Sequence, residues 1–204
     1  MTMTDDDLKL ELDRLRPFEG TVPWLYLDNA DHPNVTCGVG FLLASIDDAC
    51  RLPWHHLADG LPASRDEITA EFQRVAGMPG GLRADAYKNG LRLAPADIDS
   101  EGIRRLRVIL RGLPFVFPGF DGFPDGVQQA LLDLAWNCGL AAPKGLAGWI
   151  RLRAACNSVP PDWKTAATQC RTANPNGNVQ REHRNDWRSQ CFVDAVVATP
   201  GPTG

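Results

Sequence analysis

Leu8, Leu12 and Leu15 recur at helical spacing in an otherwise charged stretch, and position 19 returns close to the same face. The first element is thus expected to be an amphipathic helix that carries Glu19 to the edge of a core and stops at Gly20. Pro17 lacks a backbone donor and disfavours helix at Arg16, so a kink or break before Phe18 has to be allowed. From Val22 to Leu43 the pattern shortens to β-prone runs, Trp24 to Leu27 and Val35 to Leu43, separated by a turn-rich stretch from Asn29 to Asn34. That is the pattern of a hairpin with a long loop. Gly38 and Gly40 inside the second run mark a bulge or a close approach of another group.

Residues 44–62 are mixed and proline-punctuated, and support only a short helix. Ser64-Arg65-Asp66-Glu67 has capping-box spacing and opens a helix through Ile68, Phe72 and Val75 that ends near Gly77. A further helix is expected over 100–111 on Ile103, Leu106, Ile109 and Leu110, followed by an irregular aromatic segment from Pro114 to Phe120. The strongest helical pattern covers 125–138, apolar around most of its circumference and closed by Gly139, and predicts a central buried helix. Further helices are expected at about 145–156, 160–171 and 180–197, with a disordered tail at 199–204.

A chain of 204 residues, 44% hydrophobic, suits one domain with a single core or two lobes sharing one. The net charge of -4 argues against nucleic acid, and Arg104, Arg105, Arg107 and Arg111 read as a solvated helix face. No apolar run approaches the roughly 18 residues of a membrane span, so no membrane insertion is expected. The acidic start lacks the order of a secretory signal; the expectation is synthesis in the cytoplasm without a signal peptide. Six cysteines at positions 37, 50, 138, 156, 170 and 191 form no zinc spacing, and no metal or other cofactor is expected. Disulfides and buried thiols both remain open.

Glu19 and Asp28, nine residues apart, differ in setting: one ends a helix at a core edge, the other ends an apolar run before polar turn residues. Acid–base catalysis needs such an unequal pair, one carboxyl that stays protonated and one that stays ionised. Partial burial suits Glu19 to the acid role and the polar turn suits Asp28 to the ionised one. Asp31 competes with Asp28 for the second place. His32, His55 and His56 read as structural or solvent-facing, Trp136 as core, and Trp24 and Trp54 as mostly packing.

Phe18-Glu19-Gly20, Tyr26-Leu27-Asp28 and Thr36-Cys37-Gly38-Val39-Gly40 together resemble the Glu, Asp, Thr constellation and glycine hairpin of the phage-type lysozymes, the muramidases of glycoside hydrolase family 24. Residues 129–139 are similar to that family's central helix, and Asn178 to Arg184 leading into Trp187 to the arginine-bearing start of its last helix. The loop from Asp28 to Thr36 is longer than the family's, Phe41 stands where many members have His, and the negative charge is unusual for enzymes that meet an anionic wall.

The resemblance implies an α+β, mostly α, lysozyme-like fold: a hairpin lobe at about 20–62, a helical lobe at about 82–198 with the N-terminal helix, and a cleft between them. It implies that Glu19 is the general acid, that Asp28 and Thr36 hold and activate a water for inverting hydrolysis, and that Arg181, or Arg184 if the register slips, pairs with Glu19. The implied substrate is the β-1,4 bond between N-acetylmuramic acid and N-acetylglucosamine in peptidoglycan glycan strands, attacked in the periplasm or cell wall. Delivery would be as a phage endolysin or as an injected antibacterial effector with a cognate immunity protein; the acidic charge and the six cysteines tilt toward the effector. A glycan-binding module that has lost turnover is the alternative.

Overall fold

The computed structural model describes residues 3–28 and 33–198. They form a mostly helical protein with a three-stranded and a two-stranded antiparallel sheet. Asp31, His32 and the tail at 199–204 lie outside the described residues. The chain divides into two compact units, Leu12–Arg104 and Met1–Glu11 with Arg105–Gly204.

In the first unit, α1 (Asp5–Glu19, whose opening turns belong to the second unit) runs through Pro17 to Glu19. Pro17, in the last turn, has no N–H for the carbonyl four residues back, so the helix forgoes one hydrogen bond there. The Gly20 amide closes the helix on Arg16 O at 2.8 Å, and its φ of +75° turns the chain into β1 (Val22–Leu27). β1 pairs with β2 (Val35–Gly38), placing Tyr26 opposite Thr36, and β2 pairs with β3 (Phe41–Leu42). The single run expected over Val35 to Leu43 is therefore two strands with a tight turn at Val39 and Gly40.

The glycines cause the split. Gly38 and Gly40 hold φ of +58° and +69°, which side chains with a Cβ rarely adopt. A Cβ on Gly38 would also stand 2.3 Å from the buried Phe41 ring. We expect Gly38→Ala to destabilise the protein by about 2–3 kcal/mol, adding backbone strain to overpacking; urea unfolding measures it, and a change below about 0.5 kcal/mol would contradict the fit.

A short α2 (Ile46–Cys50) precedes β4 (His55–His56), which the sequence did not signal, and which pairs with β5 (Leu91–Arg92). α3 (Arg65–Ala76) starts with the expected capping box at Ser64 and Glu67 and ends at Gly77. α4 (Pro95–Val116) extends beyond the expected 100–111 at both ends. Gly102 lets Leu12 of α1 lie against α4: a Cβ there would meet the Leu12 methyls at 2.6 Å.

In the second unit, α5 (Asp125–Cys138) is the expected buried helix, with Val127, Ala130, Leu131, Leu132, Leu134 and Ala135 in the core. α6 (Ile150–Cys156) packs on α7 (Trp163–Gln169), α7 on α8 (Val179–Ala198) and α8 on α5, and an aromatic chain joins Phe120, Phe123, Trp163 and Phe192. The expected aromatic irregular segment is instead the last turn of α4 through Val116, then a 3-10 turn at Phe120–Gly122.

Candidate active site

Glu19, Asp28 and Thr36 all fall in the hairpin unit, around Tyr26. Glu19, half-buried, is the last residue of α1, and its side chain rests on the glycine turn: a Cβ at Gly40 would stand 3.2 Å from Glu19 Oε2. The bare backbone at Gly40 is thus the surface on which this carboxylate lies.

Asp28 directly follows β1 and is held at both oxygens by one residue. The Asn34 amide donates to Oδ1 at 3.0 Å and Asn34 Nδ2 donates to Oδ2 at 3.3 Å. The Asn34 carbonyl in turn accepts from the Asp28 amide at 3.0 Å and from Thr36 Oγ1 at 3.2 Å. Asn34 therefore ties Asp28 to Thr36 across the mouth of the long loop. Sequence reasoning passed over it; the available signal was an Asn next to a strand start, able to bond the backbone around it. Thr36 is 4% exposed, its hydroxyl proton committed to Asn34 and its lone pairs left as acceptors.

Tyr26 was also passed over. Its phenol pKa is pushed up to about 12, first by burial and then by negative neighbours, Cys37, Glu19 and Asp28. Both carboxylates are therefore within electrostatic reach of one hydroxyl that faces Thr36 across the sheet. The strand's alternation supplied the signal: buried Leu25 and Leu27 turn Trp24 and Tyr26 to the other face.

The shift has a measurable consequence. A phenol of ordinary pKa near 10 in the unfolded chain and about 12 in the folded one favours folding at lower pH and loses that contribution as the pH rises from about 10 to about 12. Urea titrations of Tyr26→Phe across this window should show a smaller fall in stability than wild type; equal falls would contradict the placement.

Phe41 is buried, with its ring on Gly38. His56 Nε2 lies 3.3 Å from Glu67 of the α3 cap, a structural role. In the helical unit, exposed Arg181 donates from Nη1 to Ala173 O at 3.1 Å, and its amide bonds Asn178. Arg184 is buried on Asp133 of α5, with Nε at 3.0 and 3.1 Å from the two oxygens, and Arg188 bonds the same carboxylate.

Shallow open depressions of about 500 and 250 Å³ lie along α6 and α7, lined by Arg151, Asp162, Thr165, Gln169 and neighbours, none of them a candidate from the sequence. Among the described residues, no group of three or more His, Cys, Asp or Glu is arranged to hold a metal, and no helix is long and apolar enough to cross a membrane. No family model matches the chain, and no curated protein matches it.

Proposed function

We propose that this chain is a peptidoglycan hydrolase that cleaves the β-1,4 bond between N-acetylmuramic acid and N-acetylglucosamine by inverting acid–base chemistry. The observation that carries the reading is the convergence of Glu19, at an α-helix end on the glycine turn, and Asp28, at a strand end, on the Tyr26–Thr36 pair. Glu19 protonates the leaving oxygen. Asp28, fixed by two Asn34 hydrogen bonds, accepts a proton from the attacking water, and Thr36 locks Asn34 from beneath. Inversion needs the two carboxyl groups roughly 6.5–9.5 Å apart, so that the water fits between the sugar and the base. The chain acts on the walls of bacteria, as an endolysin or as a delivered effector that an immunity protein blocks in the producing cell.

Near-complete burial of Thr36 favours a second reading, a glycan-binding module without turnover. Digestion of purified peptidoglycan decides between them. Reducing muramic-acid ends, with the α-anomer formed first by NMR, support the inverting hydrolase; bound glycan with no released fragments supports the module.

A further inference from the structure

Trp24, Tyr26 and Asp28 occupy alternate positions on β1 and the residue after it, all half-buried, on the face opposite Leu25 and Leu27. Four residues of strand separate Trp24 from Asp28, at most about 13 Å with the register irregularity between Val22 and Tyr26, a span of about two sugar rings. Its indole is fixed by its edge: Nε1 donates to Ala84 O at 2.9 Å. Over the ring, 5.1 Å from its centroid, stands the ammonium of Lys88.

The backbone on both sides of Lys88 is bolted down. Glu71, 5% exposed on α3, takes Arg74 through two bonds of 2.7 and 2.8 Å and Asn89 Nδ2 at 2.7 Å. Arg74 also donates to Tyr87 O, and the buried Tyr87 donates its hydroxyl to Pro79 O at 2.7 Å. Lys88 itself is exposed, its flexible stem rooted at a fixed point beside an aromatic plane. Pro33, two residues before β2, also packs on this segment at Gly80, where a Cβ would be 2.6 Å away.

We propose that Trp24 and Lys88 form a glycan subsite continuous with Asp28, specific for amino-sugar chains that carry acidic peptide substituents. The indole stacks on a pyranose face, and Lys88, displaced from the ring by the sugar, pairs with a carboxylate of the peptide. An ammonium suits this better than a guanidinium because a point charge on a flexible stem does not require one fixed carboxylate geometry. The subsite gives the substrate class to the reaction proposed above and rests on that reading for its biological meaning, but its binding chemistry stands separately.

The test uses soluble peptidoglycan fragments with intact peptides and the same fragments stripped of them by an amidase. Reducing-end release gives kcat and KM for wild type, Trp24→Ala, Lys88→Met and Lys88→Glu, and calorimetry gives fragment affinity in a Glu19→Gln background. Lys88→Glu should raise KM about tenfold on peptide-bearing fragments with kcat kept, and leave stripped fragments unaffected. Trp24→Ala should weaken both. The proposal falls if the Lys88 variants, at an exposed position that folding tolerates, match wild type on both substrates or shift both equally; in that case the pair only covers the indole. Cleavage without Lys88 dependence sinks the subsite and keeps the hydrolase. Lys88-dependent binding with no cleavage by wild type sinks the hydrolase and keeps the subsite.

Discussion

Glu19→Gln is expected to cut release of reducing muramic-acid ends from peptidoglycan by about 10²–10⁴-fold, the range a positioned acid contributes. Glutamine keeps the size of the side chain and its contact with the Gly40 turn but cannot give up a proton to a leaving oxygen. Asp28→Asn should also lose activity, because the amide cannot accept a proton from water. The placement behind both expectations has its own readout. Glu19 and Asp28 each raise the Tyr26 pKa, so removing either charge should lower the phenol's alkaline transition from about 12. A lowered transition with full activity would sink the catalytic assignment and leave the geometry standing. A transition that moves in neither variant would count against the placement of both carboxylates near Tyr26, whose shift comes first from burial.

The helices were legible where one face was apolar. The α5 pattern predicted 125–138, and the helix spans those residues because Gly139 ends it. The Ser64 box predicted α3 for a local reason, two side chain–backbone bonds that involve only neighbours in sequence. Legibility failed where long-range pairing decides. β4 and β5 have two residues each, too few to show a period, and exist because the segments around 55 and 91 meet. α4 outruns its expected ends because Pro95 opens the helix, as proline can at a first helical position, and Pro114, which began the expected irregular segment, sits in its last turn.

The candidate site divides in the same way. Glu19 and the two glycines were legible because a helix stop and a left-handed turn leave local marks. Asn34 and Tyr26 were not, because their importance comes from what lies across the strand: Asn34 spans six positions back to Asp28, and Tyr26 acquires its setting from Thr36 opposite and from burial together with Glu19 and Asp28.

Asp133→Ala should be the most damaging substitution for stability, by about 3–5 kcal/mol, as expected when a buried ion pair loses one partner. Asp133, 3% exposed, stands on the apolar circumference of α5, where a charge breaks the hydrophobic pattern. Its partners are one turn apart on α8: Arg184 and Arg188 present Nε groups to the same carboxylate. Arg188 is 1% exposed, and burial pulls its guanidinium below the usual range while Asp133 works against that. Without the carboxylate, its remaining hydrogen-bond acceptor among the described residues is Asn185 Oδ1, at a marginal 3.5 Å. Desolvation then outweighs what remains, and α8 loosens from α5. Pairing Asp133→Ala with Arg188→Met should restore part of the loss, because the stranded charge goes with its partner. Urea unfolding of the two single variants and the double variant measures the coupling. A double variant no more stable than Asp133→Ala, or a single-variant loss under about 1 kcal/mol, would mean that solvent reaches this carboxylate and that apolar packing alone joins the two helices.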